Sequence, residues 1–252
     1  MILNKTIAFV FLGSYSLNQK NKGRRMKLNG TGLKVPNNID LSEAIGDDHV
    51  GTSLVTPMRD GAFDMNDTEK MEEIAFYFEK IMHTMGLDLT DDSLSGTPKR
   101  VAKMYIKEVF SGLNPENKPK VALFENKYRY NEMLVEKNIT LKSFCEHHFV
   151  PIIGQAHVAY ISNGKVIGLS KINRIVQYFA KRPQVQERLT VQIANELKKI
   201  LETEDVAVLI DAKHMCVSLR GIEDETSSTV TASYHGKFKE DQSKTEFLKY
   251  IN

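Results

Sequence analysis

Residues 139–161, ITLKSFCEHHFVPIIGQAHVAYI, decide how this chain of 252 residues is read. Ile139 to Cys145 and Ile152 to Ile161 read as strands. CEHHFVP, Cys145 to Pro151, is the turn between them. Downstream, Asn163-Gly164 is a turn signal, and Lys165 to Leu169 is a short extension. Ser170 is placed to cap a helix with Ile172, Ile175, Val176 and Phe179 on one face. After Arg182-Pro183 a longer helix carries Val185, Leu189, Ile193, Leu197 and Ile200. Val206 to Cys216 reads as a strand, with Val206, Val208, Ile210, Ala212, His214 and Cys216 on one face by its period of two. Ser228 to Phe238 is expected to be the last strand, followed by a short helix near Thr245.

Upstream, the chain changes character near Val135. Pro36 to Asp64 is polar and reads as a loop-rich lead-in. A helix opens at Asn66, where Asn66-x-x-Glu69 resembles a capping box. Met71, Ile74, Ala75, Phe78, Ile81, Met82 and Met85 follow at spacings of three and four until Gly86, a stripe that suits a core or a subunit contact. Thr97-Pro98 is expected to cap a second helix, which runs through Val101, Met104, Tyr105 and Val109 to Gly112. The expected organisation is α+β: an extension over 1–64, a helical part over 65–134, and a sheet-and-helix part over 135–252. In that last part the order is strand, strand, helix, helix, strand, strand.

Composition excludes more than it identifies. Lys and Arg number 34 against 32 Asp and Glu, so no global basic field argues for nucleic acid. No apolar stretch reaches the ~20 residues of a membrane helix. Two cysteines make no disulfide framework, so a reducing, cytoplasmic setting is expected. The run Ile7 to Leu12 is short for a signal peptide and lacks a clear cleavage site. Residues 1–25 read as a disordered or upstream tail, with Met26 as an alternative start.

Both cysteines and three of the seven histidines fall in CEHH (145–148) and HMC (214–216). Thiolate and imidazole are zinc's preferred ligands, and Cys145, His148 and Cys216 make a three-ligand set with no fourth Cys or His at an obvious spacing. Such a set leaves a position for water, the catalytic arrangement. On spacing alone, two buried thiols and a chance Cys-x-x-His explain the pattern equally well. The neighbouring His147 and His214 have the character of acid/base groups; a core histidine is the plainer reading of either one alone.

Five segments, CEHHFVP, GLSKINRIV, RPQVQERLT, HMCVSLRG and STVTASYHGKF, resemble in order and spacing the GTP cyclohydrolase I family, of the type with a single zinc. The likeness runs from about Leu87 to Ile251 and is dense from Val135 onward. It implies the tunnelling fold: an antiparallel four-stranded sheet with two helices between strands two and three, assembled into rings and then a decamer of two pentamers. By the same resemblance Cys145, His148 and Cys216 hold Zn2+, and His147 and His214 are the acid/base histidines. Glu187, beside Gln186, anchors guanine. Ser170, Lys171, Arg174 and Arg220 bind the triphosphate, and Arg100 and Lys103 of TPKRVAKMY reach it across a subunit boundary. Tyr234-His235 departs from the family pattern at a place without a catalytic role.

The implied substrate is GTP and the product 7,8-dihydroneopterin triphosphate, with formate released. A histidine titrating near neutrality suits protonation of N7 as water adds at C8. One carboxylate can accept from both N1–H and the 2-amino group of guanine, and adenine offers neither. The plainer readings are solvated helix faces for Glu187, Arg100 and Lys103. Two other functions compete: a zinc-stabilised binding module, which needs a fourth protein ligand, and a tunnelling-fold pterin synthase or nitrile reductase, which lacks CEHH with HMC.

Overall fold

A computed structural model describes residues 52–252, which belong to one compact unit. The expectations for 1–51, including the apolar run, Met26 and most of the extension, lie outside the described residues. Residues 52–66 carry bends and turns only. Helix α1 (Asp67–Thr84) starts as its sequence dictates. Asn66 Oδ1 accepts from the Thr68 and Glu69 amides, and the Glu69 carboxylate accepts from the Asn66 amide at 2.8 Å. Of its apolar stripe only Met82 is fully buried; Ile81 and Met85 are at least half exposed, as are Phe76 and Tyr77 outside the stripe.

The second expected helix is broken into pieces. A one-turn helix α2 (Asp92–Ser95) precedes α3 (Thr97–Lys103), which continues as a π-turn over Met104–Val109 and a 3-10 turn over Ser111–Leu113. Gly96, rather than Thr97, holds the cap position, and the Thr97 hydroxyl accepts from Arg100 Nη2 instead. Gly112 fits because its amide bonds to Lys181 O at 2.9 Å and a Cβ there would meet Tyr178 O at 2.0 Å.

Short strands β1 (Leu123–Glu125) and β4 (Lys165–Ile167) pair as a separate antiparallel ribbon. The main sheet contains β2 (Met133–Cys145), β3 (Pro151–Ile161), β5 (Pro183–Gln184), β6 (Val206–His214) and β7 (Thr229–Tyr234), in the order β5-β2-β3-β6-β7. The four long strands are antiparallel, and two helices, α4 (Leu169–Ala180) and α5 (Gln186–Leu201), join β3 to β6. β5 is an addition to the expected four strands. It runs parallel to the end of β2, pairing Phe144 with Pro183 and Cys145 with Gln184. β2 also begins earlier than expected and bulges between Glu136 and Ile139, where Asn138 is left-handed.

Alternation puts Leu141, Ile152, Val158, Tyr160, Val208 and Ile210 under α4 and α5, against Ile172, Ile175, Val176, Leu189, Ile193 and Leu197. One end of the opposite face is covered as well. Phe238, in a 3-10 turn, and Phe247, on the closing helix α7 (Asp241–Ile251), pack on Ala159, Ala207 and Leu209. Each Phe is worth ~1.5–3 kcal/mol of burial. Two further expectations are corrected at the strand ends. β6 stops at His214 and Cys216 lies in a helical turn, α6 (Met215–Ser218), while β7 ends at Tyr234 rather than Phe238. Among the described residues no helix is long and apolar enough to cross a membrane.

Candidate active site

The turn between β2 and β3 is closed by two backbone bonds, Phe149 N to Cys145 O and Cys145 N to Val150 O, both 2.9 Å. Phe149 takes a left-handed φ of 55°, costly for a bulky side chain. Its ring rests on Phe110, centroids 5.2 Å apart, and Phe110 in turn meets Phe144 and Tyr105. This aromatic cluster braces the turn so that Cys145 and His148 face one point. The α6 turn at the end of β6 brings Cys216 to the same point.

The ligand atoms of Cys145, His148 and Cys216 lie within 4.8 Å of one another. Tetrahedral zinc with bonds of ~2.0–2.3 Å separates its ligands by ~3.5–3.8 Å, so the set fits a metal after a small contraction. Burial, then the neighbouring Cys145 thiol, pushes the Cys216 thiol up to about 11. Two sulfurs this close resist ionising together, and a divalent cation removes that resistance. Within the described residues the cluster has three members, not the four that a closed structural zinc site needs.

His147 lies at the edge of the cluster. Its Nδ1 is 3.8 Å from Cys145 Sγ and its Nε2 3.8 Å from a Glu146 carboxylate oxygen. His214 approaches from β6. Its Nε2 is 2.7 Å from Gln186 Oε1, and the orientation of that amide is fixed independently. Gln186 Nε2 donates to Ile210 O (3.2 Å), Thr229 O (2.8 Å) and Thr231 Oγ1 (3.1 Å), so Oε1 must be the atom facing the imidazole. His214 therefore donates from Nε2 and keeps its lone pair on Nδ1. Burial holds its pKa below the usual imidazole value, and the Glu187 carboxylate pulls weakly the other way. Arg220 Nη1 donates to His148 Nε2 at 2.8 Å, which joins the expected phosphate group to the metal cluster.

The structure thus gathers Cys145, His147, His148, His214, Cys216, Glu187 and Arg220. Gln186, beside the expected guanine anchor, is buried, with its amide engaged inside the chain. Ser170 is the second residue of α4 and not its cap, which is Gly168. The Lys171 amide donates to Gly168 O at 2.8 Å. Arg174 lines a surface cavity of about 350 Å3 with Ser111, Asn117, Tyr178 and Lys181, whose walls include neither the metal cluster nor Glu187. Arg100 spends Nη2 on Ser93 O and Thr97 Oγ1, both 2.9 Å, and Lys103 is exposed on α3.

Two residues at the site were missed in the sequence. Arg188 is almost fully buried and pairs with Glu146. A signal was available: Gln186, Glu187 and Arg188 are consecutive on a helix, and at ~100° per residue three neighbours cannot all face solvent.

Comparison with known proteins points to one family. The sequence model of the family described as GTP cyclohydrolase I matches residues 74–252. A GTP cyclohydrolase 1 of Flavobacterium johnsoniae is 62% identical over 215 residues, 85% of this chain and 96% of that protein. The GTP cyclohydrolase 1 of Erwinia tasmaniensis is 54% identical over 203 residues, covering 80% and 92% of the two chains. That of Aeromonas salmonicida is 56% identical over 196 residues, covering 77% and 89%. Among solved structures, the archaeosine synthase QueF-Like in the apo form overlaps 40% of this chain and 92% of its own. The TM-score is 0.32 at 20% identity, too slight an overlap to bear on the fold.

Proposed function

The chain belongs to the GTP cyclohydrolase I family, and from that premise we propose a zinc-dependent hydrolysis of GTP to formate and 7,8-dihydroneopterin triphosphate. This is the first step of pterin and tetrahydrofolate biosynthesis. The chain is an enzyme, a hydrolase, which sets aside a binding module without activity. The observation that carries the zinc reading is the convergence of two thiols and one imidazole, supplied by separate segments, with two further histidines beside them.

Cys145, His148 and Cys216 would hold the zinc, and zinc would supply a Lewis acid that makes water nucleophilic at neutral pH. The protein's own groups do the rest. Glu187 accepts from N1–H and the 2-amino group and so turns C8 of guanine toward the metal cluster. His147 gives a proton to N7 as water adds at C8. The C8–N9 bond then breaks to leave a formamide, which a second hydration cleaves to formate and a free amine. His214, with Nε2–H held by Gln186, offers Nδ1 to take up and return protons through ring opening and ribose rearrangement. The amine closes on the rearranged carbons with loss of one water, so the sum is GTP plus water to formate and product.

Arg220, Ser170, Lys171 and Arg174 serve the triphosphate, completed by Arg100 and Lys103 of a neighbouring subunit. In this reading 65–134 is the arm that reaches the neighbour and 135–252 is a catalytic part of the tunnelling type. The active unit is a decamer of two pentamers. Support comes from what the described residues of one chain leave open among themselves: the exposed apolar side chains of α1, the outer edge of β7, and most of the edge of β2. Incubation with GTP should release formate in step with the near-ultraviolet absorbance of a dihydropterin. GTP left intact would contradict the reading. Mixing an inactive Arg100→Ala, Lys103→Ala chain with inactive Cys216→Ser should restore part of the activity if sites are shared. No recovery despite subunit exchange would remove the shared site.

A further inference from the structure

Arg188 makes contacts that the reaction above does not use. It lies in the first turn of α5 with 3% of its side chain exposed. A guanidinium so buried must be paired. Its Nε donates to Gln184 Oε1 at 3.0 Å, and its Nη2 to Pro183 O at 3.1 Å and to a Glu146 carboxylate oxygen. The frame around it is fixed. Gln184 Nε2 donates to Phe179 O (2.9 Å) and Gln192 Oε1 (3.0 Å), and the Glu146 amide donates to Gln184 O (3.0 Å). The two residues of β5 thereby tie the metal-ligand turn to the start of α5. Arg188 grips one oxygen of Glu146 from inside, and the other oxygen is 3.8 Å from His147 Nε2. With Cys145 Sγ 3.8 Å from Nδ1, the imidazole lies between a sulfur and a carboxylate that cannot swing away.

We propose that Arg188 is a positioning residue for the reaction: through Glu146 it fixes the pose of the His147 imidazole. The first turn of α5 then serves both histidines, Gln186 holding His214 directly and Arg188 holding His147 through one carboxylate. Glu187, between them, points outward to the substrate. One rigid element so sets two proton-transfer groups and the guanine anchor in a common frame, and small errors in such a frame are costly. This rests on the role given to His147 above.

The test is a set of variants in the full-length, metal-loaded enzyme. Arg188→Met should lower kcat by ~10–100-fold, as loss of an outer partner of a site does. Zinc content should be unchanged, and KM for GTP should move less than kcat. Arg188→Lys, which keeps the charge but loses the fork, should recover part of the loss. The decisive comparison is in a His147→Ala background. If Arg188 acts through His147, adding Arg188→Met there should cost no further turnover, although any loss in Tm persists. A further fall as large as in the wild type, or wild-type kcat in Arg188→Met, would overturn the inference. Should Arg188→Met fail to fold, Glu146→Gln leaves Arg188 packed, and its kcat must fall in the wild type and not in His147→Ala; any other result overturns the inference. Wild-type turnover in His147→Ala itself would instead refute the role of His147, a failure visible in that one variant.

Discussion

Gln186→Met probes the link between fold and chemistry most sharply. Methionine matches glutamine in length and volume, so packing is nearly conserved while four polar contacts vanish. Their losses are unequal. Thr231 Oγ1 keeps Thr190 Oγ1 at 2.7 Å, whereas His214 Nε2–H and Thr229 O lose the contacts that Gln186 supplied. Thr229 is exposed and His214 only partly buried, so stranding them costs less than the ~1–3 kcal/mol of a buried orphan, and a net loss of about 1–2 kcal/mol is expected. For a domain of this size that lowers Tm by roughly 2–8 °C. The catalytic effect has a separate origin. Without an acceptor at Nε2 the imidazole is free to exchange tautomers and rotate, and kcat should fall by ~10–100-fold. Zinc should stay, because no atom of Gln186 touches Cys145, His148 or Cys216. Thermal melts, zinc content and GTP turnover on one preparation suffice. Wild-type kcat in a folded, zinc-loaded Gln186→Met would refute the assignment of the His214 tautomer.

Three further outcomes are expected. Glu187→Gln should lower kcat/KM for GTP by about 1.5–3 kcal/mol, roughly 10–150-fold, because an amide turns a donor toward N1–H or the amino group; wild-type kinetics would remove Glu187 as the guanine anchor. Gly154→Ala should destabilise by about 3 kcal/mol, since its Cβ would meet Asp211 O at 2.1 Å on β6, and an unchanged urea midpoint would show that the strands can part. His157 is buried, and burial, opposed by Asp211 and aided by Lys137, holds its pKa below the unfolded value of about 6.5. The unfolded chain then binds a proton that the folded chain refuses, so stability falls as pH drops below about 6.5. His157→Asn, which can still accept from the Asn138 amide, should flatten the Tm profile between about pH 5 and 7, and an unchanged slope would assign it to other groups.

Local patterns carried the elements whose causes are local. The capping box at Asn66 and Glu69 and the stripes of α4 and α5 could be read directly because propensity, periodicity and burial agree there. The failures share a cause in long-range packing. Cys216 was placed on the buried face of a strand; it reaches the metal cluster by a helical turn, an outcome that a period of two cannot distinguish. β5 has two residues and no periodicity, and it exists because α5 must start beside the ligand turn. At the bulge the Asn138 amide donates to His157 Nδ1, nineteen positions away in sequence. Gln186 and Glu187 are neighbours in sequence, yet one step of ~100° around a helix separates a buried side chain from an exposed one. The candidate ligands could be read from chemistry alone; what orients the histidines could not.

Zinc dependence through three protein ligands is the central claim, and a joint measurement of metal and turnover tests it most directly. Purified protein should contain about one zinc per chain. Chelation should abolish formate release from GTP and added zinc restore it, while Cys216→Ser should lose metal and turnover together. A metal-free Cys216→Ser protein that converts GTP at the wild-type rate would contradict the account.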